Sequence, residues 1–182
     1  MIRFTPLAAV AILMAAPAYA QDVQEAADAP LDRPAIVMSA EHPNEEAVAP
    51  YVRSDANAGA IPFEGGAMFA AFHGAEGVAR IVDGFVARNL ADPRIMGQFA
   101  ATDQVRLKRT LREQFCYILG GGCVYTGRDM ASSHKDLGSQ PADMAAIVEN
   151  LQAAMRDEGV PFATQNRFLA KLAPMKPDVV TR

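Results

Sequence analysis

The sequence has no tryptophan and only two cysteines among its 182 residues. Two cysteines are too few for a disulfide-stapled scaffold, and the lack of a Cys-x-x-Cys motif excludes a tetrahedral zinc site or a thioredoxin-like redox centre. Basic residues are not in excess either, since 17 Lys and Arg face 21 Asp and Glu for a net charge of −4. A chain without a basic surplus lacks the electrostatic pattern of a nucleic-acid-binding protein.

Long apolar runs are confined to the start of the chain. Residues 1–20 carry one charge, Arg3, followed by an apolar run over 7–16 and a small-x-small ending, Ala18-Tyr19-Ala20. This pattern is typical of a secretory signal that is cleaved before Gln21. No later stretch approaches the roughly 20 apolar residues of a membrane span. We therefore expect an exported protein, periplasmic or secreted, with no membrane span.

Residues 21–66 are acidic and rich in proline. They contain nine acidic side chains against two basic ones, and five of the 12 prolines. Such closely spaced prolines prevent a long helix, and the few apolar side chains follow no sustained period of two or 3.6. The segment is therefore predicted to be a disordered tether, with a docking arm around residues 36–38 or 51–52 as the alternative.

Residues 67–182 have the pattern of a helical domain. Their 12 acidic and 14 basic side chains give a net charge of +2. Apolar residues recur at three-and-four spacing over 78–86, 107–119, 144–155 and 162–172, and proline or glycine marks the end of each stretch. No alternating strand pattern is present. We predict an all-α domain over 67–182, with Phe162 and Phe168 both facing its core.

Residues 123–138, between the two stronger helix pairs, show no strong period. A four-helix bundle requires four elements of similar length. Short helices separated by a weakly helical stretch instead favour a fold that wraps around a bound group. His134 follows a run of small residues in this stretch and is a candidate ligand, whereas His42 lies in the predicted tether and His73 near the start of the domain.

Several short motifs follow one another along residues 68–180. They are Met68-Phe69-Ala70-Ala71-Phe72-His73-Gly74, Asn89-Leu90-Ala91-Asp92-Pro93, Phe99, Arg106-Leu107-Lys108, Leu119-Gly120-Gly121, Tyr125-Thr126-Gly127-Arg128-Asp129-Met130-Ala131-Ser132-Ser133-His134, Gly159-Val160-Pro161 and Ala173-Pro174. With these motifs in this order, the chain resembles the group I truncated haemoglobins, although His73 stands where a glycine is usual. The resemblance implies a truncated globin fold, a two-over-two helical sandwich that encloses one haem.

The resemblance also implies a cofactor site. His134 matches the proximal histidine that ligates the haem iron. Haem b would be bound non-covalently, because the chain has no Cys-x-x-Cys-His motif. The residues expected around the haem are Phe99, Leu107, Leu111, Phe115, Tyr125, Met130, His134 and Ile147, with ordinary core packing as the alternative for the apolar ones. Lys108, Arg128 and Lys135 are candidates for the haem propionates, with solvated surface charges as the alternative.

The distal side departs from the family pattern. Family members commonly place a tyrosine on the second helix and a glutamine on the distal helix, whereas the matching positions here hold Val86 and Leu111. We therefore expect an apolar distal pocket of Val86, Leu107 and Leu111, with Gln114 or Tyr117 as alternative hydrogen-bond donors. Losing a hydrogen bond to bound dioxygen costs about 1.5–3 kcal/mol, so this pocket suits carbon monoxide, nitric oxide or rapid oxygen exchange.

Cys116 and Cys123 flank the glycine run at residues 120–122. Export would place them in an oxidising compartment, where the glycines allow the chain to fold back and bring the two cysteines together. A Cys116–Cys123 disulfide is therefore expected, with two free thiols as the alternative.

The sequence thus predicts a globin that binds diatomic gases (O2, CO or NO) at a five-coordinate haem iron. The alternatives are a periplasmic haem carrier and a helical interaction module without haem. No paired-carboxylate motif, nucleophile elbow or phosphate-binding glycine loop is present. Any nitric oxide or peroxide chemistry would therefore be that of the haem, not of enzyme side chains.

Overall fold

The computed structural model describes residues 42–182. The predicted signal, residues 1–20, and residues 21–41 lie outside this described part. Within it, apart from an isolated bridge residue at Val52, the chain forms only helices, turns and irregular segments. The prediction of an all-α domain is confirmed. No helix in the described part has the length and apolar character needed to cross a membrane.

The described residues form eight α-helices and two short 3₁₀-helices. The α-helices are α1 Ala67–Ala71, α2 Gly74–Ala91, α3 Met96–Ala100, α4 Gln104–Ile118, α5 Met130–His134, α6 Pro141–Asp157, α7 Phe162–Leu172 and α8 Lys176–Val179. The 3₁₀-helices are Asp55–Ala58 and Ala173–Met175.

Helix α4 begins and ends at residues that the sequence marks clearly. The Asp103 carboxylate accepts hydrogen bonds from the Val105 and Arg106 backbone amides, which satisfies free donors of the first turn. Beyond the other end, Gly120 has a φ of 81°. A side chain there would also bring its Cβ within 2.6 Å of the Phe63 carbonyl oxygen, so only glycine fits this close approach.

The helices pack as two pairs around a phenylalanine-rich core. Helix α2 contacts α4 and α6, and α6 contacts α7, so the α2/α4 pair lies against the α6/α7 pair in the predicted two-over-two arrangement. Phe168 meets Phe72 and Phe115 edge to face, with ring centroids 5.1 Å and 5.0 Å apart. These rings join α7 to α4 and to the end of α1, and thereby fix one side of the space between the pairs.

Phe162 does not face this core, contrary to the sequence prediction. Its side chain is 67% exposed, whereas Phe168 is fully buried. Six residues along an α-helix correspond to about 240° of rotation, so the two rings lie on different faces of α7. The buried face instead takes in Gln165, whose Nε2 donates a hydrogen bond to the Val160 carbonyl at 2.7 Å.

Residues 42–66, which precede α1, lie against the helices. Ala58 is fully buried, and its carbonyl accepts a hydrogen bond from Nε2 of Gln114 at 2.9 Å. The Phe63 amide donates to the Ile118 carbonyl at 2.8 Å, where α4 ends. This part of the chain therefore differs from the predicted disordered tether. Hydrogen bonds and ion pairs attach it to the domain, and hydrophobic periodicity does not detect such contacts.

Glu158 ties the end of α6 to the start of α2. Its Oε1 accepts a hydrogen bond from Nη2 of Arg80 at 2.7 Å and lies 2.9 Å from Nδ1 of His73. His73 precedes α2 in the left-handed region, with a φ of 61°. The hydrogen bond from Arg80 is the main reason that the pKa of Glu158 falls from its usual 4.5 to about 2.

We expect Glu158→Gln to lower the free energy of unfolding by about 1 kcal/mol near neutral pH. Because the pKa of the carboxyl is lowered in the folded state, its stabilisation is complete above pH 4.5 and is lost as the pH falls towards 2. The difference between parent and variant should therefore shrink on acidification, and urea unfolding near neutral pH and at acid pH measures it.

Glu76→Gln is the matched control for this prediction. Glu76 approaches the same Arg80 only to 4.0 Å, and its side chain is 92% exposed. Its loss should leave stability within experimental error of the parent. Equal destabilisation by both substitutions would contradict a specific role of Glu158.

Candidate cofactor site

A cavity of about 760 Å³ lies between the two helix pairs. Helices α2 to α8 and residues 46–51 contribute to its wall. Its volume falls within the roughly 300–1,000 Å³ of small-molecule and cofactor sites. All eight residues that the sequence predicts around a haem line this one cavity: Phe99, Leu107, Leu111, Phe115, Tyr125, Met130, His134 and Ile147.

His134 lies at the end of α5, a single short turn that Asp129 initiates. The Asp129 carboxylate accepts a hydrogen bond from the Ser132 amide at 2.8 Å. Nδ1 of His134 lies 2.7 Å from the Met130 carbonyl oxygen, within the same turn. A carbonyl oxygen only accepts hydrogen bonds, so Nδ1 is the donor, and in the neutral imidazole Nε2 then keeps its lone pair. This is the arrangement that orients a metal-binding imidazole.

The other described histidines lie away from the cavity. Neither His42 nor His73 contributes to its wall. His73 lies at the start of α2, where it contacts Glu158. His134 is therefore the one histidine within residues 42–182 that is placed to bind a ligand inside the cavity.

Tyr125 lines the cavity just before α5. Its ring is 4% exposed, and its hydroxyl donates to the Arg128 carbonyl at 2.9 Å. Burial is the main reason that the pKa of Tyr125 is raised, so the phenol stays protonated and remains a donor. Tyr125 thus braces the loop that leads to His134 and presents its ring to the cavity.

Apolar side chains form part of the wall on the α2 and α4 side. Leu107 and Leu111 lie one turn apart on α4 and both line the cavity. Val86, the predicted distal residue of α2, does not line it; Val86 is fully buried in the core, and the preceding Phe85 lines the cavity instead. Each helical residue turns the side chain by about 100°, which separates these two neighbours. The sequence thus placed the distal contact of α2 one position too late.

Polar side chains on this wall are already hydrogen-bonded within the protein. Nε2 of Gln114 donates to the Ala58 carbonyl, and its amide also approaches the Met130 sulfur at 3.4 Å. The Thr110 hydroxyl donates to the Arg106 carbonyl at 2.9 Å. The other alternative donor, Tyr117, does not line the cavity. The structure therefore offers no support for Gln114 or Tyr117 as a donor to a distal ligand.

Two of the three basic residues predicted near the haem propionates lie elsewhere. Neither Lys108 nor Lys135 lines the cavity, and Lys108 Nζ lies 3.1 Å from Asp83. Arg128 does line it, but Arg128 donates to the Ala49 carbonyl at 2.8 Å and stacks over the Tyr51 ring, 5.2 Å from its centroid. The guanidinium therefore already has partners in the segment before α1.

Cys116 and Cys123 form a disulfide in the structure, with their Cα atoms 5.7 Å apart. Cys116 lies in the last turn of α4 and is buried. The bridge joins the helix that carries Leu107 and Leu111 to the loop that leads towards His134. It therefore fixes the end of α4 to the start of the loop that leads to α5.

Several cavity residues were not predicted from the sequence. On α6, Met144, Val148 and Leu151 accompany Ile147, and their three-and-four spacing was a usable signal. In residues 42–66, Val48 and Tyr51 also line the cavity. No periodic pattern surrounds these last two, so only the folded chain shows where they lie.

Comparisons with known proteins agree with this geometry. The bacterial-like globin family matches residues 67–181. The chain is 33% identical over 108 residues to a group 1 truncated hemoglobin, GlbN, of Mycolicibacterium paratuberculosis, covering 59% of this chain and 79% of that protein.

Two solved structures share the fold. The Fe(III) form of truncated hemoglobin from Tetrahymena pyriformis superposes with a TM-score of 0.60 at 26% identity, covering 63% of this chain and 98% of that one. The 2/2 hemoglobin from Synechococcus sp. PCC 7002, in the cyanomet state with covalently attached heme, gives 0.59 at the same identity and the same two coverages. The chain therefore belongs to the group I truncated globins, and it is a haem-binding globin.

Proposed function

We propose that this protein is an exported globin that binds diatomic gases at a haem iron held by Nε2 of His134. The observation that carries the proposal is the hydrogen bond between Nδ1 of His134 and the Met130 carbonyl. It fixes the ring on the wall of a large cavity and leaves the other nitrogen with a free lone pair. When bound, haem would supply an iron able to bind dioxygen, carbon monoxide or nitric oxide.

The residues of the cavity fit a haem. A flat, largely apolar ring requires an apolar enclosure and one strong nitrogen ligand from the protein, and both are present. Within residues 42–182 no group of three or more His, Cys, Asp or Glu side chains could hold a metal ion. His134 alone would therefore suit a metal whose other ligands are supplied mainly by a macrocycle.

The side chains on the two sides of the cavity would have different roles. His134 would bind the iron from α5, with Met130 and Tyr125 on the same side of the cavity. Leu107, Leu111 and their neighbours on α4 would keep water away from the opposite face and offer a bound gas no hydrogen bond. The protein would therefore discriminate weakly in favour of dioxygen over neutral carbon monoxide.

We propose non-covalent attachment of haem b. Cys116 and Cys123 are both used in the disulfide, so neither offers a thiol to the cofactor. The same disulfide supports export to the periplasm or the exterior, because such bonds persist in oxidising compartments. Extraction of the haem into acidified organic solvent tests the attachment, and haem that stays with the protein would contradict it.

Reconstitution with haemin, reduction and titration with carbon monoxide tests the gas-binding function. We expect one haem and one carbon monoxide per chain, together with haem that passes to apomyoglobin only over hours. Transfer within minutes would favour the haem-carrier alternative. A protein that gives no haem absorbance band would instead be a helical interaction module, and the proposal would be wrong.

A further inference from the structure

The segment before α1 crosses one side of the cofactor cavity. We call residues 42–58 the strap. Its first part contacts the start of α4, and its last part contacts the loop over residues 125–128, which leads to His134. The strap therefore connects α4 to the side of the cavity that carries His134, the proposed iron ligand.

Glu45 anchors the first end of the strap. Its carboxylate is 4% exposed and pairs with two arginines of α4: Oε2 lies 3.2 Å from Nε of Arg106 and 3.0 Å from Nη2 of Arg109. Hydrogen bonding by Arg109 is the main reason that the pKa of Glu45 is lowered. Next to this pair, the Glu46 amide donates to the Asp103 carboxylate at 2.8 Å, and its carbonyl accepts from Arg106.

Tyr51 and its neighbours anchor the second end. The Tyr51 hydroxyl donates to the Thr126 carbonyl at 2.8 Å, while Arg128 stacks over the Tyr51 ring. Further along, the Asp55 carboxylate accepts from the Tyr125 amide at 3.0 Å. This end of the strap thus holds the residues that precede α5.

Between these anchors the strap forms part of the cavity wall. Val48 and Tyr51 line the same cavity as Leu107 and His134. Their side chains supply an aliphatic group and an aromatic ring, which are suited to contact a porphyrin. A porphyrin that fills the cavity would therefore lie against the strap. To leave the cavity on this side, the porphyrin would have to displace the strap.

We propose that the strap is a haem-retaining wall, in which Val48 and Tyr51 contact the porphyrin and Glu45 is a positioning residue that keeps them in place. The proposal rests on the proposed function, since it requires a bound haem. It assigns a cofactor-binding role to residues outside the 67–181 range that matches the globin family.

Haem loss from the full-length protein tests the strap. The reconstituted parent and its variants are mixed with excess apomyoglobin, and the haem transfer rate is recorded by absorbance. We expect Glu45→Gln to accelerate haem loss about tenfold, because a neutral amide would leave two arginine charges without their buried partner. Tyr51→Ala should accelerate it similarly, while Tyr51→Phe, which keeps the ring but loses the hydroxyl bond to the Thr126 carbonyl, should give a rate between those of the parent and Tyr51→Ala.

Glu64→Gln is the matched control, since Glu64 also precedes α1 but lies outside the strap, is exposed and does not line the cavity. Hydrogen exchange adds a readout that is independent of haem: the amides of Glu46 and Tyr125, which bond across the strap contacts, should exchange faster in Glu45→Gln than in Glu64→Gln.

The possible failures are distinct. A parent protein that binds no haem would overturn the proposed function and the strap with it. A haem-loaded parent whose loss rate is unchanged by Glu45→Gln and Tyr51→Ala would overturn the strap alone. A Tyr51→Phe variant as fast as Tyr51→Ala would overturn the contact assigned to the Tyr51 ring.

Discussion

Replacing His134 by glycine is expected to weaken haem binding by roughly a hundredfold or more, because this removes the one histidine within residues 42–182 that is placed to bind the iron. The cavity itself should survive, since His134 is only partly buried and its ring contributes no interhelical hydrogen bond. Haemin titration followed by absorbance measures the affinity, and circular dichroism checks that the helices remain.

Two controls make this result specific. Free imidazole should restore much of the lost affinity in His134→Gly, because a small ligand can occupy the space left by the side chain. His73→Ala should bind haem like the parent, since His73 does not line the cavity. Unchanged affinity in His134→Gly, or an equal loss in His73→Ala, would contradict the assignment of the ligand.

Leu111→Gln is expected to slow dioxygen dissociation by about ten- to a hundredfold. The lining Thr110 and Gln114 of α4 already donate to backbone carbonyls, and the lining Arg106 pairs with Glu45, so we expect these side chains to offer a bound gas no hydrogen bond. A glutamine at this lining position would introduce a free amide donor next to the gas, and a bond to a strongly polar acceptor contributes about 1.5–3 kcal/mol. Stopped-flow displacement of dioxygen by carbon monoxide measures the rate.

Leu111→Met separates the new donor from a change in shape. Methionine has nearly the volume of leucine and no N–H group, so its dioxygen dissociation rate should stay close to that of the parent. Gln114→Leu should also leave the rate unchanged. A clear acceleration in Gln114→Leu would show that Gln114 turns towards the gas, and the apolar distal wall would then be wrong.

The sequence was most informative where one local signal decides one local structure. Asp103 caps α4, glycines follow its last residue, and Asp129 starts the single turn that ends at His134. Each of these features depends on a side chain and its immediate backbone, and the glycines are the one that the sequence prediction used. The motif around His134 then placed the candidate ligand in the cavity without any tertiary information.

Tertiary packing set the limits of the sequence prediction. Val86 and Phe85 are adjacent on the apolar face of α2, and only the neighbouring helices decide which of them meets the cavity. Phe162 was predicted to be buried from hydrophobicity alone, yet its side chain is 67% exposed on α7. Periodicity identifies the apolar face of a helix to within about one position. Packing against the neighbouring helices decides which residue of that face lines the cavity.

The strap shows a different limit. Glu45 pairs with Arg109 across 64 positions, and Tyr51 reaches Thr126 across 75. Acidic, proline-rich composition is the usual mark of a disordered segment, but here some of that acidity is neutralised by arginines that α4 presents along its polar side. A local reading of composition does not include such distant partners.

The most direct test of the account is the iron–nitrogen stretching band in the resonance Raman spectrum of the reduced, haem-loaded protein. We predict a band that shifts when all histidines carry nitrogen-15. In His134→Gly reconstituted with unlabelled imidazole, the band should no longer respond to that label. The central claim would be contradicted if the band of the parent did not shift with the histidine label. It would also be contradicted if the band persisted unchanged in His134→Gly without imidazole, since either result would show that another group binds the iron.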